Sequence, residues 1–420
     1  MIAATRTVST PWVGNRVDHG VGLTQPIASS PDGSLVAISQ PVTIDTVEQS
    51  RVAVLSASDL SVVDEEQIRA GAHDTGTGFL GHRGTTVGWS PSGDLLAFGH
   101  GHHIAWRGYR ATGSDVATLT LLDAPAGSGG NADNTSYYQT YTGPDGLWLT
   151  YRGGGGNGYS SRMCRWDDTA KTWVHRPGFD PFSVAGGYQF RLGFGSEWMW
   201  VAAEWFVGDS GFPRSNAGVL RSPDNGVTWF RVTGEQQTSQ MERWSTSQTL
   251  VFSTNSELRL ASTTIAMWGD DPIVFTKLQR EGGTEWDVLY RRWDGSQFAP
   301  AEVLYDGSII EPGPVQTAWR PGRIVAINAI EQRLHIAWTD DGGVSWSYDL
   351  LGEDATIRNV GIDREEFVRS GVLRVMPMFT GDDLQRSEVW EFTLPAPAIA
   401  GLVNARNGTL TAVGGTLTAA

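Results

Sequence analysis

An all-β chain closed into one ring of small sheets is what this sequence predicts, and three observations carry the prediction. The first is a turn that occurs twice. Ser222-Pro223-Asp224-Asn225-Gly226-Val227-Thr228-Trp229 is echoed by Thr339-Asp340-Asp341-Gly342-Gly343-Val344-Ser345-Trp346, and both read hydroxyl, any, Asp, any, Gly, any, hydroxyl, Trp. The second is a Pro–Gly turn ahead of an apolar strand. It occurs at Ser30-Pro31-Asp32-Gly33, Ser90-Pro91-Ser92-Gly93 and Gly143-Pro144-Asp145-Gly146, and in a shorter form at Trp319-Arg320-Pro321-Gly322. The third is composition: 52 Gly and 18 Trp in 420 residues supply tight turns and large flat side chains to fill the space between sheets.

The repeated turn has the chemistry of a tight hairpin. The Asp carboxylate and first hydroxyl bond nearby backbone N–H groups, Gly closes the turn, and the second hydroxyl and Trp start the outgoing strand. Ser222, Asp224, Gly226, Thr228, Trp229 and Thr339, Asp341, Gly343, Ser345, Trp346 match at all five positions. The pair resembles the Asp-box (BNR) repeat of sialidase-like β-propellers, where the box joins the two outer strands of a blade and is structural. Degraded copies stand at Trp166-Asp167-Asp168-Thr169, leading to Thr172-Trp173, and at Trp293-Asp294-Gly295-Ser296, leading to Phe298.

Taken in order, the chain opens with a polar stretch holding one β-like piece at 6–13. With each blade read as two hairpins, seven blades fall near 20–72, 83–124, 135–178, 186–234, 245–306, 313–352 and 355–394. The fifth and seventh are the least regular, so six or eight blades fit as well. The fourth is expected to use 188–194, 197–206, 217–221 and 227–232. Few segments carry a helical period. Closure answers the edge-strand problem that many short strands pose; two β-sandwiches are the other architecture considered, and recurring hairpins without a composition break count against them. The propeller is expected over 1–394. Residues 395–420 form a C-terminal extension whose Gly408-Thr409-Leu410-Thr411-Ala412 returns as Gly415-Thr416-Leu417-Thr418-Ala419. It reads as a strand-forming arm for a partner chain, against the plainer reading of a flexible tail, and it resembles tails of bacteriophage virion proteins.

Net charge is −15, from 31 basic and 46 acidic residues, which argues against nucleic acid and anionic membranes as partners. The lone Cys164 excludes an intrachain disulfide framework. No stretch is long and apolar enough to span a membrane, and 1–14 lacks the charged and apolar pattern of a signal peptide. The expected location is a virion or the extracellular space without a signal peptide, with the cytoplasm left open.

The candidate chemistry is sparse. A sialidase resemblance implies three Arg clamping a substrate carboxylate, a Tyr nucleophile activated by Glu, and an acid Asp. The nearest match to that family's Phe-Arg-Ile-Pro motif, Phe190-Arg191-Leu192-Gly193, lacks the Pro and falls mid-chain, and reads as an inner strand. His100-Gly101-His102-His103 has ligand-like density but no Cys or carboxylate in register, so it reads as a polar loop. Asp270-Asp271 and Asp382-Asp383 read as turns rather than calcium ligands. No catalytic residue, metal or cofactor is assigned.

If the boxes lie on one face, the links between second and third strands lie on the other, and in blades two, three and four they are long or Gly-rich. They carry Trp106, Arg107, Tyr109 and Arg110, then Arg152, Asn157 and Tyr159, then Asp209, Phe212 and Arg214. Aromatic faces with Arg and Asn between them suit a sugar or a protein epitope; plain loop variability is the competing reading. The functional expectation is a non-catalytic recognition or assembly module of a phage virion, binding a host glycan or, through 398–420, a partner protein. A sialidase-like glycoside hydrolase and a soluble assembly factor are the alternatives.

Overall fold

A computed structural model of the chain describes residues 2–9, 25–44, 47–68, 84–100, 106–125, 135–155, 158–175, 187–206, 214–238, 250–253, 260–351, 357–379 and 388–396. They form a single seven-bladed β-propeller. Blade one is β2 (Ile27–Ser29), β3 (Leu35–Ile44), β4 (Val47–Ser56) and β5 (Val62–Ile68), with β1 (Arg6–Ser9) preceding it in the chain. Blade two is β6 (Gly84–Trp89), β7 (Leu95–His100), β8 (Gly108–Thr112) and β9 (Asp115–Leu121). Blade three is β10 (Thr135–Gly143), β11 (Gly146–Gly155), β12 (Gly158–Asp167) and β13 (Thr172–His175). Blade four holds β14 (Gly187–Phe194), β15 (Met199–Phe206), β16 (Arg214–Ser222), β17 (Trp229–Phe230), β18 (Gln236–Gln237) and β19 (Leu250–Ser253).

Blade five is β20 (Leu260–Trp268), β21 (Asp271–Gln279), β22 (Trp286–Arg292) and β23 (Glu302–Ser308). Blade six is β24 (Gln316–Arg320), β25 (Arg323–Ile330), β26 (Arg333–Thr339) and β27 (Ser347–Leu351). Blade seven is β28 (Ile357–Ile362), β29 (Leu373–Phe379) and β30 (Glu388–Phe392), with helix α1 (Arg364–Ser370) between its first two strands. Its fourth strand is β1, paired antiparallel to β30 with Arg6 opposite Glu391 and Ser9 opposite Glu388. The chain start thus completes the last sheet and ties the ring shut.

The first strands of successive blades touch one another around the centre, which buries them on both faces, polar side chains such as Arg191 and Gln316 included. Each seam between blades has its own apolar cluster. Val87, Trp89 and Ala97 meet Ala37 and Val54 between blades two and one, and Ile27 and Ile38 meet Met376 and Val389 between blades one and seven. Indoles fill the wider seams: Trp148, Trp173, Trp200 and Trp229 are almost wholly buried.

All four Pro–Gly turns join first to second strands, and both repeated hairpins join third to fourth. An antiparallel meander therefore puts them on one face, the turn face, and the other links on the opposite, loop face. In the first hairpin Ser222 Oγ accepts from Gly226 N at 2.7 Å, while Asp224 accepts from Thr228 N at 2.7 Å and Thr228 Oγ1 at 2.6 Å. The second repeats this with Thr339, Gly343, Asp341 and Ser345 at 2.6–2.9 Å. Trp229 sits with Trp148 and Met163 of blade three, and Trp346 lies edge-on to Phe275 and Tyr290 of blade five. Each hairpin thereby pins its blade to the one before.

Two expectations need correcting. The fourth strand of blade four is not a run at 227–232: β17 ends at Phe230, where Arg231 N bonds Glu235 O across a turn with Gly234 at φ 87°. The free edge of β16 is filled instead by β19, which the sequence reading had assigned to blade five. The second is blade seven, read from the sequence as two hairpins at 355–394: its fourth strand is β1, and a helix, α1, joins its first two strands. Asp363 caps α1 by accepting from Glu366 N, and Gly371 ends it at φ 80°. The extension at 397–420 lies outside the described residues.

Asp224→Ala and Asp341→Ala should each lower unfolding stability by about 1 kcal/mol or more, read by denaturant titration. Ligand binding at the opposite face should be unchanged; a variant that keeps full stability but loses that binding would contradict the structural role.

Candidate functional site

Second strands run from the turn face toward the loop face, so their last residues form a tier beneath the loop-face mouth. Apolar seams end there in polar side chains, and strand alternation shows which seam each one closes. Arg152 of β11 lies on the same side as Trp148, which packs toward blade four. Glu204 of β15 shares its side with Trp200 and Ala202, facing blade five. Lys277 of β21 follows Phe275, and Asn328 of β25 follows Ala326, so both close the seam between blades five and six. Gln40 of β3 closes the seam with blade seven, and Ser39 and Thr85 that between blades one and two. All seven side chains are nearly fully buried, Asn328 at 0% exposure.

The charged members are held in place. Glu204 Oε2 accepts from Thr263 N of blade five at 2.9 Å. Lys277 Nζ donates to Glu311 Oε1 at 2.9 Å and Pro312 O at 2.6 Å, with the Trp286 ring 5.7 Å away. The Arg152 guanidinium stands 4.7 Å from the centre of the Tyr137 ring. Several neutral members are not satisfied: both ends of the Asn328 amide, Gln40 Oε1, Ser39 Oγ and Thr85 Oγ1 find no hydrogen-bond partner among the described residues. Such groups cost about 1–3 kcal/mol each when buried.

The inner strands are distorted at this level. β10 is bulged between Ser136 and Gln139, and β20 between Ala261 and Thr264. Tyr137 and Ser262, within these bulges, take φ of 59° and 60°, a left-handed backbone that costs of order 1–3 kcal/mol in a non-glycine residue. Bulges of this kind re-aim side chains beside functional sites.

At the turn face α1 plugs the ring. Glu365 Oε1 accepts from Thr142 Oγ1 of blade three at 3.0 Å, reaching across the centre. Burial, reinforced by Asp363, pushes the Glu365 carboxyl up to about 7. Helix α1 thus covers the turn-face end of the ring axis.

Of the described loop residues picked out from the sequence, Arg152 belongs to this tier. Trp106 is a core residue: it packs against Phe98, Tyr138 and Tyr151 at 5.5–5.8 Å, and its Nε1 donates to Leu122 O. Arg107 beside it is half-buried, donating to Trp106 O at 3.3 Å. Tyr109 is half-buried in β8, its phenol pushed up by burial. Arg110 is near the turn face, paired with Asp94 at 2.9 Å, because β8 runs away from the loop face. Tyr159 and Arg214 lie in β12 and β16, opposite Gly154 and Phe206. Asn157, Asp209 and Phe212 lie outside the described residues, as do His102, His103, Asp382 and Asp383. Asp270 is a turn residue, accepting from Ser196 Oγ at 2.6 Å and Glu197 N at 2.7 Å. Arg191 is on an inner strand as expected, but buried at 2% exposure.

Sequence reading passed over Gln40, Glu204, Lys277 and Asn328. Each is a polar residue ending an apolar run, a weak signal that only the register around a ring makes coherent.

No protein-family model matches the chain, and no curated protein matches it in sequence. Among solved structures it is similar to the polysaccharide lyase Uly1, at TM-score 0.67 and 12% identity over 91% of this chain and 92% of that one. It is also similar to an ulvan lyase of polysaccharide lyase family PL25, at TM-score 0.65 and 14% identity over 90% and 95%. A protein of unknown function from Dyadobacter fermentans matches at TM-score 0.51 and 11% identity over 93% and 99%. These likenesses establish the ring fold. They also correct the expectation of a non-catalytic recognition or assembly module of a virion, since two of the rings matched over nine-tenths of the chain are polysaccharide lyases.

Glu365→Gln should separate its two roles by pH. A carboxyl raised from its ordinary value penalises the fold as pH rises from about 4.5 to about 7. The Gln variant, which keeps an acceptor for Thr142, should therefore melt higher than the parent at pH 8 and equally at pH 4.5; equal melting at pH 8 would show the carboxyl is not penalised.

Proposed function

We propose that this propeller is a carbohydrate-active enzyme that cleaves an acidic polysaccharide by β-elimination at its loop face. The observation that carries the reading is the tier of buried, unsatisfied hydrogen-bonding groups led by Asn328, with Gln40, Ser39 and Thr85. A polyhydroxylated sugar offers the donors and acceptors such groups lack. Arg152 at the same level, stacked on the Tyr137 ring, in a chain of net charge −15, favours an anionic ligand over a neutral one; Lys277 is already paired with Glu311. The fold likeness to polysaccharide lyases supports the same reading, and one ulvan lyase structure is of a complex with -[GlcA(1-4)Rha3S]-.

In such an elimination a base takes the proton on the carbon next to the uronate carboxylate. The bond from the neighbouring carbon to the leaving oxygen breaks, that oxygen receives a proton, and a carbon–carbon double bond remains. Tyr137 is the proposed proton-transferring group: its backbone is held in an unfavourable conformation at a bulge, and Arg152 covers its ring. Glu204 and Lys277 position the sugar chain. Elimination fits better than hydrolysis by paired carboxylates, because among the described tier residues Glu204 is the buried carboxylate and Glu311 is engaged by Lys277. The two hairpins of Asp224 and Asp341 support kinship with Asp-box propellers as part of this proposal.

Incubation with ulvan and other uronate-containing polysaccharides should give a rise in ultraviolet absorbance from the unsaturated product. Tyr137→Phe should abolish that rise while leaving oligosaccharide binding within about threefold, and Arg152→Ala should lower it about 100-fold, within the range of a general acid–base contribution. New reducing ends without the absorbance change would indicate hydrolysis instead, and no cleavage of any acidic polysaccharide would refute the proposal.

A further inference from the structure

Arg364, the first residue of α1, makes contacts that locate it on the ring axis. Its Nε donates to Thr317 O of blade six at 2.9 Å, Nη1 to Gln25 Oε1 ahead of blade one at 2.8 Å, and Nη2 to Gln316 Oε1 of blade six at 3.3 Å. Its guanidinium also stands 5.2 Å from the Tyr141 ring of blade three. Only a side chain near the centre can meet inner strands on such separate sides of a seven-bladed ring.

These acceptors are all neutral, which sets Arg364 apart from two other buried arginines. Arg374 is paired with Asp363 at 3.0 Å and Glu391 at 2.6 Å, and Arg323 with both oxygens of Asp340 at 2.6 and 2.7 Å. Arg364 is just 8% exposed. Burial lowers its guanidinium from the ordinary arginine range, and the nearby Arg191 adds to the lowering. The adjacent Glu365 turns to Thr142 and, with its carboxyl pushed up to about 7, is a partial counter-charge near neutrality. The three bonds use one N–H on each nitrogen, which leaves one on each of Nη1 and Nη2, enough for a guanidinium to grip an oxyanion through two bonds.

We propose that Arg364 forms the floor of an oxyanion site on the ring axis, which takes a carboxylate or sulfate of the bound glycan; this rests on the glycan-cleaving reading above. With α1 closing the turn face, the acidic group enters from the loop face, and Arg191 supplies a second positive charge beside it. An unsubstituted sugar cannot satisfy this site, so the floor selects acidic chains.

The test is calorimetric binding to the full chain at constant ionic strength, with three probes: a uronate oligosaccharide, a neutral oligosaccharide of equal length, and inorganic sulfate. The acidic oligosaccharide should bind and the neutral one should bind at least about tenfold more weakly. Arg364→Lys, which keeps the charge but loses the fork, should weaken the acidic probe by about tenfold without altering the neutral one. Should the first variant unfold, Arg191→Gln, which removes the second positive charge, should weaken the acidic probe several-fold and leave the neutral one unaltered. Sulfate binding that depends on Arg364, with no preference for the acidic sugar, would keep the oxyanion site and reject the glycan as its occupant. A folded Arg364→Lys with unchanged affinity for every probe would overturn the site; if the parent still cleaved polysaccharide, the enzymatic reading would survive it. Arg364-dependent binding in a chain that cleaves nothing would leave the site standing and remove the enzyme.

Discussion

Closure of the ring rests on a buried ionic network where blade seven meets blade one. Asp363, wholly buried, accepts from Ser29 N at 3.0 Å and Ser29 Oγ at 2.6 Å, and from Arg374 at 3.0 Å. Arg374 in turn grips Glu391 through two nitrogens at 2.6 and 2.9 Å, and Glu391 pairs with Arg6 of β1 at 3.2 Å. One network therefore joins the first strand of blade one, the second and third strands of blade seven, and the N-terminal strand that completes the sheet. Removing one partner from such a buried set costs about 3–5 kcal/mol, because the remaining charge is left uncompensated. Apolar seams alone could hold blades together; the network adds a preference for this particular pairing of chain ends.

That closure also builds the centre. Asp363 both anchors blade one and caps α1, so the same carboxylate that joins the ends of the ring places a helix over its turn-face opening. Arg364 follows at the next position and is carried onto the axis. The polar tier of Arg152, Glu204, Lys277 and Asn328 lies toward the opposite, loop face. Unsatisfied amides and bulged inner strands would be liabilities in a purely structural ring. The amide of Asn328 and the bulges of β10 and β20 lie toward the loop face, the end at which the proposed site is placed.

The blade layout was legible because hairpin chemistry is local. Ser, Pro, Asp and Gly within four residues specify a turn wherever they fall, and Trp229 and Trp346 follow their turns at fixed distance. Where local signals conflicted, the reading failed: Val227 to Val232 looks like a strand, yet the turn at Gly234 shortens it and β19 takes the vacated edge. The helix was legible in principle, from Asp363 with Glu366 three residues on and Gly371 beyond, but its seven residues are too short for a period to show. Trp106 and Arg110 show the opposite error. Both suit a binding loop by residue type, but one fills a seam and the other pairs with Asp94 on the far face.

What the sequence determined by itself is the kind of building unit: short antiparallel strands, turns of two chemistries, indoles to fill wedge-shaped seams, and roughly how many units there are. These depend on neighbours a few residues apart, so they can be read from spacing. The tertiary structure decided that residues 6–9 finish the last blade, that seams end in a polar tier, and that Gln25, Tyr141, Gln316 and Arg364 meet at one point. Those four are separated by up to 339 positions in the chain. Only the closing of the ring brings them together, since each sits on a different inner element and the axis is the place those elements share.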